Sequence, residues 1–275
     1  MPYFTNKKGF QIFFEDIKDN GTYGTVILLH GFASSVSFFK EQIKVLRNYY
    51  RIIAFDALGH GRSQHPKELN ISENLRDDII RDLEDLIVQT DIKEKFGIIG
   101  HSLVGGMLAQ YFTMKHPESV QYLILLNSGY STIDNVIRNS FYNLLPYVVR
   151  MNFLEFVSNN VEKVLDKVLP YIRTALITAM NGARIPMEEL DMKIEDQIFR
   201  MINEIKEYNP SSIKCPTLII GGRLDNFAPE AMSEELHKKI PNSQLEIIDM
   251  AGHFAPAQRK EIVNELICNF IRNLK

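Results

Sequence analysis

Short apolar runs that alternate with amphipathic segments constrain the fold of this chain more than any other feature of its sequence. Six runs rich in branched aliphatic residues lie at 24–30, 51–56, 96–100, 122–127, 216–221 and 244–249. Runs this apolar are typical of strands that are covered on both faces, as in a parallel sheet. The segments between them carry helical periodicity, so the alternation predicts an α/β fold with a doubly wound, mostly parallel sheet.

Two amphipathic stripes define the most regular of the predicted helices. One consists of Leu75, Ile79, Leu83, Leu86 and Ile87, and the other of Ile262, Val263, Leu266, Ile267, Phe270 and Ile271. In a doubly wound sheet, ligands bind at the carboxyl ends of the strands. Functional residues are therefore expected directly after the predicted strands.

The alternation stops between residues 131 and 210, where helical stripes continue without a convincing strand. The strand pattern then returns, so residues 1–130 and 211–275 are predicted to form one α/β core domain. Residues 131–210 are predicted to form an all-helical cap inserted in that core. Five of the ten methionines lie in this segment. Their flexible thioethers suit a surface that adapts to apolar ligands, and ordinary core packing between helices remains the alternative.

Composition excludes several classes of function. Lys and Arg total 31 against 34 Asp and Glu, so no basic excess is available for a nucleic-acid partner. No run approaches the ~18 apolar residues of a membrane span. The N-terminal segment is charged throughout and lacks the apolar stretch of a signal peptide. We expect a cytoplasmic protein that is a monomer or a homodimer.

Motifs for cofactors and metals are missing from the sequence. It contains neither a Gly-x-x-x-x-Gly-Lys-Ser/Thr phosphate loop nor a Gly-x-Gly-x-x-Gly after a strand. It also lacks a His-Glu-x-x-His motif and a cluster of Cys and His ligands, so no metal site is predicted. Cys215 and Cys268 have no disulfide-framework spacing and are interpreted as inert core thiols.

The segment Gly100–Gly106, Gly-His-Ser-Leu-Val-Gly-Gly, follows a predicted strand and opens a helical pattern. A serine on such a sharp strand-to-helix turn stands above the sheet edge, and small neighbours let helix and strand approach closely. Ser102 is therefore a candidate nucleophile, which needs a general base and an orienting acid. His253 and Asp225 each follow a later strand, so the order Ser, Asp, His brings all three to one sheet edge.

Taken together, these motifs make the chain resemble an α/β-hydrolase with a helical cap, in the serine-nucleophile, esterase-like branch. The resemblance extends over nearly the whole chain. It includes His30-Gly31-Phe32, the segment from Asp56 to Ser63, the Ser102 elbow, the segment from Cys215 to Gly222, Asp225 and Gly252-His253. The resemblance implies that the backbone N–H groups of Phe32 and Leu103 form an oxyanion hole. It implies a triad of Ser102, Asp225 and His253 that acts without a cofactor.

Other residues after the predicted strands receive different assignments. Asp249 is the second choice for the orienting acid, because it belongs to the end of a strand. Asn127 and Ser128 follow the strand where some members of the family carry their acid, and neither can serve as one. His30 and His101 are expected to fix loops by hydrogen bonds.

Two charged or ionisable residues of the Asp56 segment are expected to be structural. His60 and Arg62 lie in a predicted turn, and Asp56 is a potential partner for them. We predict a structural role for both side chains rather than a catalytic one.

Val104 departs from the family's usual Gly-x-Ser-x-Gly elbow, because it stands where the last small residue is expected. Gly105 and Gly106 follow it, so one interpretation is an extra residue or a local bulge that rebuilds the elbow. The alternative is that the β-branched side chain crowds the strand behind it and loosens the oxyanion geometry. The second case would lower the catalytic rate more than it would change the fold.

The predicted activity is hydrolysis of a carboxylic ester of a small or medium, mainly apolar substrate. A lactonase, a thioesterase or a hydrolase of carbon–carbon bonds would use the same triad. Val104 keeps a further hypothesis open, a ligand receptor or signalling protein with slow turnover. Aromatic residues of the predicted cap favour an apolar substrate, whereas Arg138, Arg150 and Arg173 are alternative partners for a substrate carboxylate.

Overall fold

All six predicted strands are present in the computed structural model, which describes residues 2–18, 23–32, 34–65, 75–130 and 209–274. Two further strands precede them along the chain. The strands are β1 (Tyr3–Thr5), β2 (Gln11–Ile17), β3 (Thr25–Leu29), β4 (Arg51–Phe55), β5 (Phe96–His101), β6 (Val120–Leu126), β7 (Thr217–Gly222) and β8 (Ser243–Ile248).

The strands form one sheet in the order β1-β2-β4-β3-β5-β6-β7-β8. The pairs β1–β2 and β2–β4 are antiparallel, and every pair from β4–β3 to β7–β8 is parallel. The predicted mostly parallel α/β sheet is confirmed. The sequence patterns miss β1 and β2, because this edge hairpin is only partly buried and β2 carries Glu15 and Asp16.

Helices lie in connections between the parallel strands, and two more follow β8 at the end of the chain. They are α1 (Lys40–Leu46), α2 (Leu75–Gln89), α3 (Ser102–Lys115), α4 (Glu230–Lys239), α5 (Ala255–Gln258) and α6 (Lys260–Arg272). The stripes predicted for α2 and α6 are largely buried. Ile262 is the exception, since this residue is 47 % exposed. It lies about 100° around the helix from Val263, away from the buried face.

The hydrophobic core lies in two layers, one on each face of the sheet. Along β3, Ile27 and Leu29 belong to the layer with α2, α3 and α4, while Val26 and Leu28 belong to the layer with α1 and α6. Successive side chains of a strand point to opposite faces, so a strand covered on both faces is apolar at every position. This arrangement accounts for the uninterrupted apolar runs.

Residues 131–208 of the predicted cap, 131–210, lie outside the described residues, together with its Met, Arg and aromatic side chains. The boundary between core and cap therefore stays a prediction. Within the described part of the chain, no helix is both long and apolar enough to cross a membrane.

Candidate active site

Three loops at the carboxyl edge of the sheet carry the residues of the predicted triad. Ser102 directly follows β5, Asp225 lies in the loop after β7, and His253 lies in the loop after β8. These strands are parallel and close together in the sheet, so their carboxyl ends meet at one edge. All three side chains are buried, and the structure brings them into contact.

Ser102 occupies a sharply bent junction between β5 and α3. Its φ of +66° lies in the left-handed region that non-glycine residues rarely adopt. A Cβ at Gly31 would lie 2.7 Å from the Ser102 Cβ, and one at Gly105 would lie 2.5 Å from the His30 carbonyl oxygen. Because both positions are glycine, the loop after β3 and the first turn of α3 can close around the serine.

His253 connects the serine to the aspartate through its two ring nitrogens. Its Nε2 lies 2.8 Å from Ser102 Oγ, and its Nδ1 lies 2.9 Å from Asp225 Oδ2. A carboxylate only accepts hydrogen bonds, so Nδ1 carries a proton and donates a hydrogen bond to Asp225. Nε2 of the neutral imidazole is then free to accept the proton of the Ser102 hydroxyl.

The Asp225 carboxylate is held on both of its oxygens. Oδ1 accepts from the backbone N–H groups of Phe227 and Ala228, each at 2.8 Å. Oδ2 accepts from His253 Nδ1 and from Asn127 Nδ2, each at 2.9 Å. Hydrogen bonds of this kind stabilise the charged form of a buried carboxylate.

The sequence of this chain matches a known protein family. The profile of the family described as alpha/beta hydrolase fold matches residues 24–259. The chain belongs to the alpha/beta hydrolase fold family. The family resemblance predicted from the motifs is thereby confirmed, and the protein is a hydrolase of that superfamily.

The similarity to individual relatives covers nearly the whole chain of this hydrolase. It is 29 % identical to "Uncharacterized hydrolase YugF" of Bacillus subtilis, with 96 % of this chain and 95 % of that protein covered. It is 25 % identical to "Putative carbamate hydrolase RutD" of Escherichia coli O157:H7, with 90 % and 91 % covered. The solved enol-lactonase of Burkholderia xenovorans matches with a TM-score of 0.71 at 16 % identity, covering 98 % of this chain and 100 % of its own, which shows a shared fold.

The second choice for the orienting acid of this hydrolase is not supported. Asp249 accepts a hydrogen bond from Arg223 Nε at 2.5 Å, and its side chain is 76 % exposed. His253 instead contacts Asp225. An aspartate at the end of a strand is close to His253 in sequence, but the turn that follows β8 directs its side chain to solvent.

Two histidines of the hydrolase hold loops in place, as predicted. His30 accepts the backbone N–H of Ala57 at its Nε2, over 3.0 Å. His101 Nε2 lies 3.0 Å from the backbone carbonyl of His253, to which it donates. Burial and the neighbouring His253 lower the pKa of His101 well below its usual range. It therefore remains a neutral donor behind His253.

The turn after β4 has the predicted structural role, with one difference. Arg62 donates its backbone N–H to Asp56 Oδ2 at 2.9 Å, and its Nε lies 3.6 Å from the same oxygen. His60 does not bond to Asp56. Its ring packs against His30 at 5.1 Å between centroids, and burial lowers the pKa of His60 to about 3. The Nδ1 of His60 lies 3.2 Å from the backbone carbonyl of Leu58 instead, so this ring bonds within its own turn.

The predicted nucleophile elbow contains no inserted residue despite Val104. Helix α3 runs unbroken from Ser102 to Lys115, so the interpretation of an extra residue or bulge is wrong. Gly105 makes the close approach to the end of β3, while Val104 is buried in the core layer beside Leu103 and Met107. The β-branched side chain is accommodated because it faces this apolar layer.

Of the predicted oxyanion-hole residues, Leu103 directly follows Ser102 in the chain, and Phe32 lies in the loop after β3. Phe32 follows Gly31, whose backbone lies against Ser102. Leu103 is the second residue of α3, and N–H groups in the first turn of a helix have no intrahelical acceptor. Their position suits anion binding, and their role belongs to the proposed mechanism.

Cys215 and Cys268 are free and partly buried. Burial raises the pKa of the Cys215 thiol to about 11 and also raises the pKa of Cys268. Thiols with raised pKa values are poor nucleophiles, in agreement with the prediction that both are inert. In the ranges that the structure describes, no group of three His, Cys, Asp or Glu side chains is arranged to hold a metal ion.

Sequence reasoning missed one polar residue that contacts the predicted triad at Asp225. Asn127 follows β6 directly, and its amide bonds to the Asp225 carboxylate. The sequence motifs raise this position only as a site for the acid, for which asparagine is unsuited. Its place at the carboxyl end of a central strand, between β5 and β7, was the available signal for a supporting role.

Proposed function

We propose that this protein is a serine hydrolase that cleaves carboxylic esters of small or medium, mainly apolar substrates. The observation that carries the proposal is the continuous contact from Ser102 Oγ through His253 to Asp225, over 2.8 Å and 2.9 Å. A serine hydroxyl is a weak nucleophile unless an adjacent base takes its proton. The three residues provide the nucleophile, the base and the orienting acid.

The first half-reaction forms an acyl-enzyme. His253 Nε2 removes the Ser102 proton as Oγ attacks the ester carbonyl, and the tetrahedral oxyanion binds the backbone N–H groups of Phe32 and Leu103. The carbon–oxygen bond to the alcohol then breaks. The leaving alkoxide takes the proton from His253, whose charged form Asp225 has stabilised in the meantime.

The second half-reaction releases the acid. His253 removes a proton from water, which attacks the acyl carbonyl and forms a second tetrahedral oxyanion in the same position. Collapse of this intermediate breaks the bond to Ser102 Oγ, which regains its proton from His253. Since the imidazole must be neutral to act as the base, we expect activity to fall in acid.

Carbamates are a second candidate substrate class. The supporting observation is the 25 % identity, over 90 % of the chain, to the relative whose name assigns it carbamate hydrolysis. A carbamate presents the same carbonyl to the same nucleophile. Lactones, thioesters and activated carbon–carbon bonds need no different triad and are further members of the substrate panel.

The test is hydrolysis of a p-nitrophenyl acyl series from acetate to octanoate, beside p-nitrophenyl N-alkylcarbamates of matched length. Ser102→Ala should lower kcat by at least ~10³, as expected for loss of a triad nucleophile. Ser233→Ala is the matched control. Its hydroxyl is also buried, it lies on α4, and it has no hydrogen-bond partner in the described part of the chain.

Three results would decide between the hypotheses. Turnover that is lost in Ser102→Ala and kept in Ser233→Ala supports a serine hydrolase, and the better substrate series identifies its class. Equal rates for wild type and Ser102→Ala would contradict the proposal. Release of one p-nitrophenolate per protein from each ester of the acyl series, without further turnover, would favour the slow receptor instead.

A further inference from the structure

Asn127 joins the two loops that carry the acid and the base. Its side-chain Nδ2 donates to Asp225 Oδ2 at 2.9 Å and to the backbone carbonyl of Gly252 at 3.1 Å. Gly252 immediately precedes His253. One amide group thus bonds to the acid itself and to the chain next to the base, so both loops have a common point of attachment at the end of β6.

The orientation of this amide is determined by its neighbours. Both atoms that Nδ2 approaches are acceptors, a carboxylate oxygen and a carbonyl oxygen, and the amide nitrogen has two protons to give. The reversed orientation would place Oδ1 against both acceptors. Asn127 Oδ1 itself is buried and has no hydrogen-bond partner among the described residues, so the two bonds from Nδ2 are the polar interactions of this side chain.

The backbone at this position restricts the residues that fit. Asn127 has a φ of +48°, and its N–H donates to the Ile220 carbonyl of β7 at 2.7 Å. Asparagine, aspartate and glycine adopt the left-handed region most readily. Among these three, glycine has no donor, and an ionised aspartate would place negative oxygens against Asp225 and the Gly252 carbonyl.

We infer that Asn127 is a positioning residue that fixes the Asp225 carboxylate and the His253 loop in the relative placement that proton transfer requires. This inference rests on the proposed function. The residue does not contact the reacting atoms. It limits rotation of the carboxylate, whose other oxygen is already held by two backbone N–H groups, and it ties that carboxylate to the loop that must place the imidazole.

Two substitutions that suit the backbone separate this role from general stability. Asn127→Gly removes both hydrogen bonds, and we expect kcat to fall roughly 10- to 100-fold, in line with one hydrogen bond to a charged group, with KM changed less than about twofold. Asn127→Asp replaces the donor by an acid. While the introduced carboxyl group is protonated it can still donate to Asp225, whereas two ionised carboxylates at this distance repel each other and share a proton.

The pH profile of Asn127→Asp is therefore the discriminating measurement. We expect its kcat, divided by that of wild type at each pH, to fall at least about tenfold between pH 5 and pH 8 as the second carboxylate ionises. Asp225 and His253 are the titratable groups that Asn127 faces directly or across its Gly252 bond, and His101 lies behind His253. The same ratio for Asn127→Gly should not depend on pH.

Asn6→Asp is the matched control. Asn6 Nδ2 also donates to a buried carboxylate, Asp82 Oδ1, at 2.9 Å. Asn6 lies between β1 and β2, at the edge of the sheet that is far from β7 and β8. The kcat of Asn6→Asp, divided by that of wild type, should stay within about twofold of one between pH 5 and pH 8. A flat ratio for Asn127→Asp, or a kcat of Asn127→Gly equal to that of wild type, would overturn the inference.

A second readout does not depend on substrate. The Nδ1 proton that His253 shares with Asp225 should give a low-field NMR resonance in wild type that weakens or shifts in Asn127→Gly, while Asn6→Asp retains it. If no ester or carbamate is hydrolysed but this difference is seen, the proposed function fails and the positioning role stands. If esters are hydrolysed but the resonance and kcat are unaffected, the positioning role fails alone.

Discussion

Two buried carboxylates in this hydrolase accept a hydrogen bond from an asparagine amide over the same distance, yet their surroundings differ. Asn127 donates to Asp225 at the carboxyl edge of the sheet, and Asn6 donates to Asp82 on α2, each over 2.9 Å. Asp225 has three further donors, among them the imidazole of His253. In the described part of the chain, the amide of Asn6 is the hydrogen-bond donor to Asp82.

The consequence for Asp82 is a carboxyl group that resists ionisation. Burial raises the pKa of Asp82 to about 7, the hydrogen bond from Asn6 opposes this increase, and the carboxylates of Asp78 and Asp85 add to it. One amide donor therefore does not offset the cost of burying a negative charge. The surroundings of Asp225 supply what Asp82 lacks, namely several donors and a side chain that becomes positively charged in the proposed reaction.

The largest expected effect is that of removing the charge at Asp225. Asp225→Asn should lower kcat about 10⁴-fold, because an amide allows the imidazole to adopt the wrong tautomer and no longer stabilises the imidazolium. The measurement is kcat on the best p-nitrophenyl substrate. Asp82→Asn is the control, with kcat expected within about twofold of wild type. A decrease smaller than tenfold in Asp225→Asn would contradict the assignment of the acid.

Asp82→Asn should change the free energy of unfolding rather than kcat. The folded protein keeps the Asp82 proton up to about pH 7, whereas the unfolded chain releases it near the usual value of 3.8. Between these values the folded state binds more protons, so the free energy of unfolding falls as pH rises. Asp82→Asn removes this loss, which amounts to at most about 4 kcal/mol at 1.36 kcal/mol per pKa unit.

Urea unfolding at about pH 4 and pH 8 measures this effect as the difference between variant and wild type, because other titrations cancel. The advantage of Asp82→Asn should grow as the pH rises across this window. Asp249→Asn, which removes an exposed carboxylate, should show no comparable trend. An advantage of Asp82→Asn that is equal at both pH values would show that Asp82 ionises normally in the folded protein.

The sequence predicts much of the surroundings of Asp225 but not those of Asp82. The triad residues follow apolar strands, and parallel strands bring their carboxyl ends to one edge, so the motifs predict that Ser102, Asp225 and His253 lie together. The structure brings them into contact. Periodicity also predicts the core strands and α2, because full burial on both faces leaves a strong apolar pattern.

The parts that the sequence does not reveal depend on contacts that no local pattern encodes. The hairpin of β1 and β2 is partly exposed, so its apolar signal is weak, and its contact from Asn6 to Asp82 spans residues far apart in sequence. Asn127 has no distinctive neighbours in the sequence. Its role follows from the convergence of three loops in space, which requires the side-chain geometry as well as the strand order.

The smallest expected effect is that of removing the Asn6 amide, which donates to Asp82. Asn6→Ala removes the donor to Asp82 and the acceptor that Asn6 Oδ1 provides for the backbone N–H groups of Lys8 and Phe10. We expect a loss of roughly 1–2 kcal/mol in the free energy of unfolding at pH 5, from ordinary hydrogen bonds. The loss should be larger at pH 8, because a hydrogen bond to an ionised carboxylate is worth roughly 1.5–3 kcal/mol.

The difference between the two pH values is the informative quantity, and Asp82→Asn provides its control. In that background position 82 carries no ionisable group, so Asn6→Ala should cost the same at both pH values. A pH-dependent loss that persists there would assign the effect to the turn between β1 and β2 rather than to Asp82. Unchanged kcat in Asn6→Ala would complete the contrast with Asn127, because the same chemical group then contributes to stability at one carboxylate and to catalysis at the other.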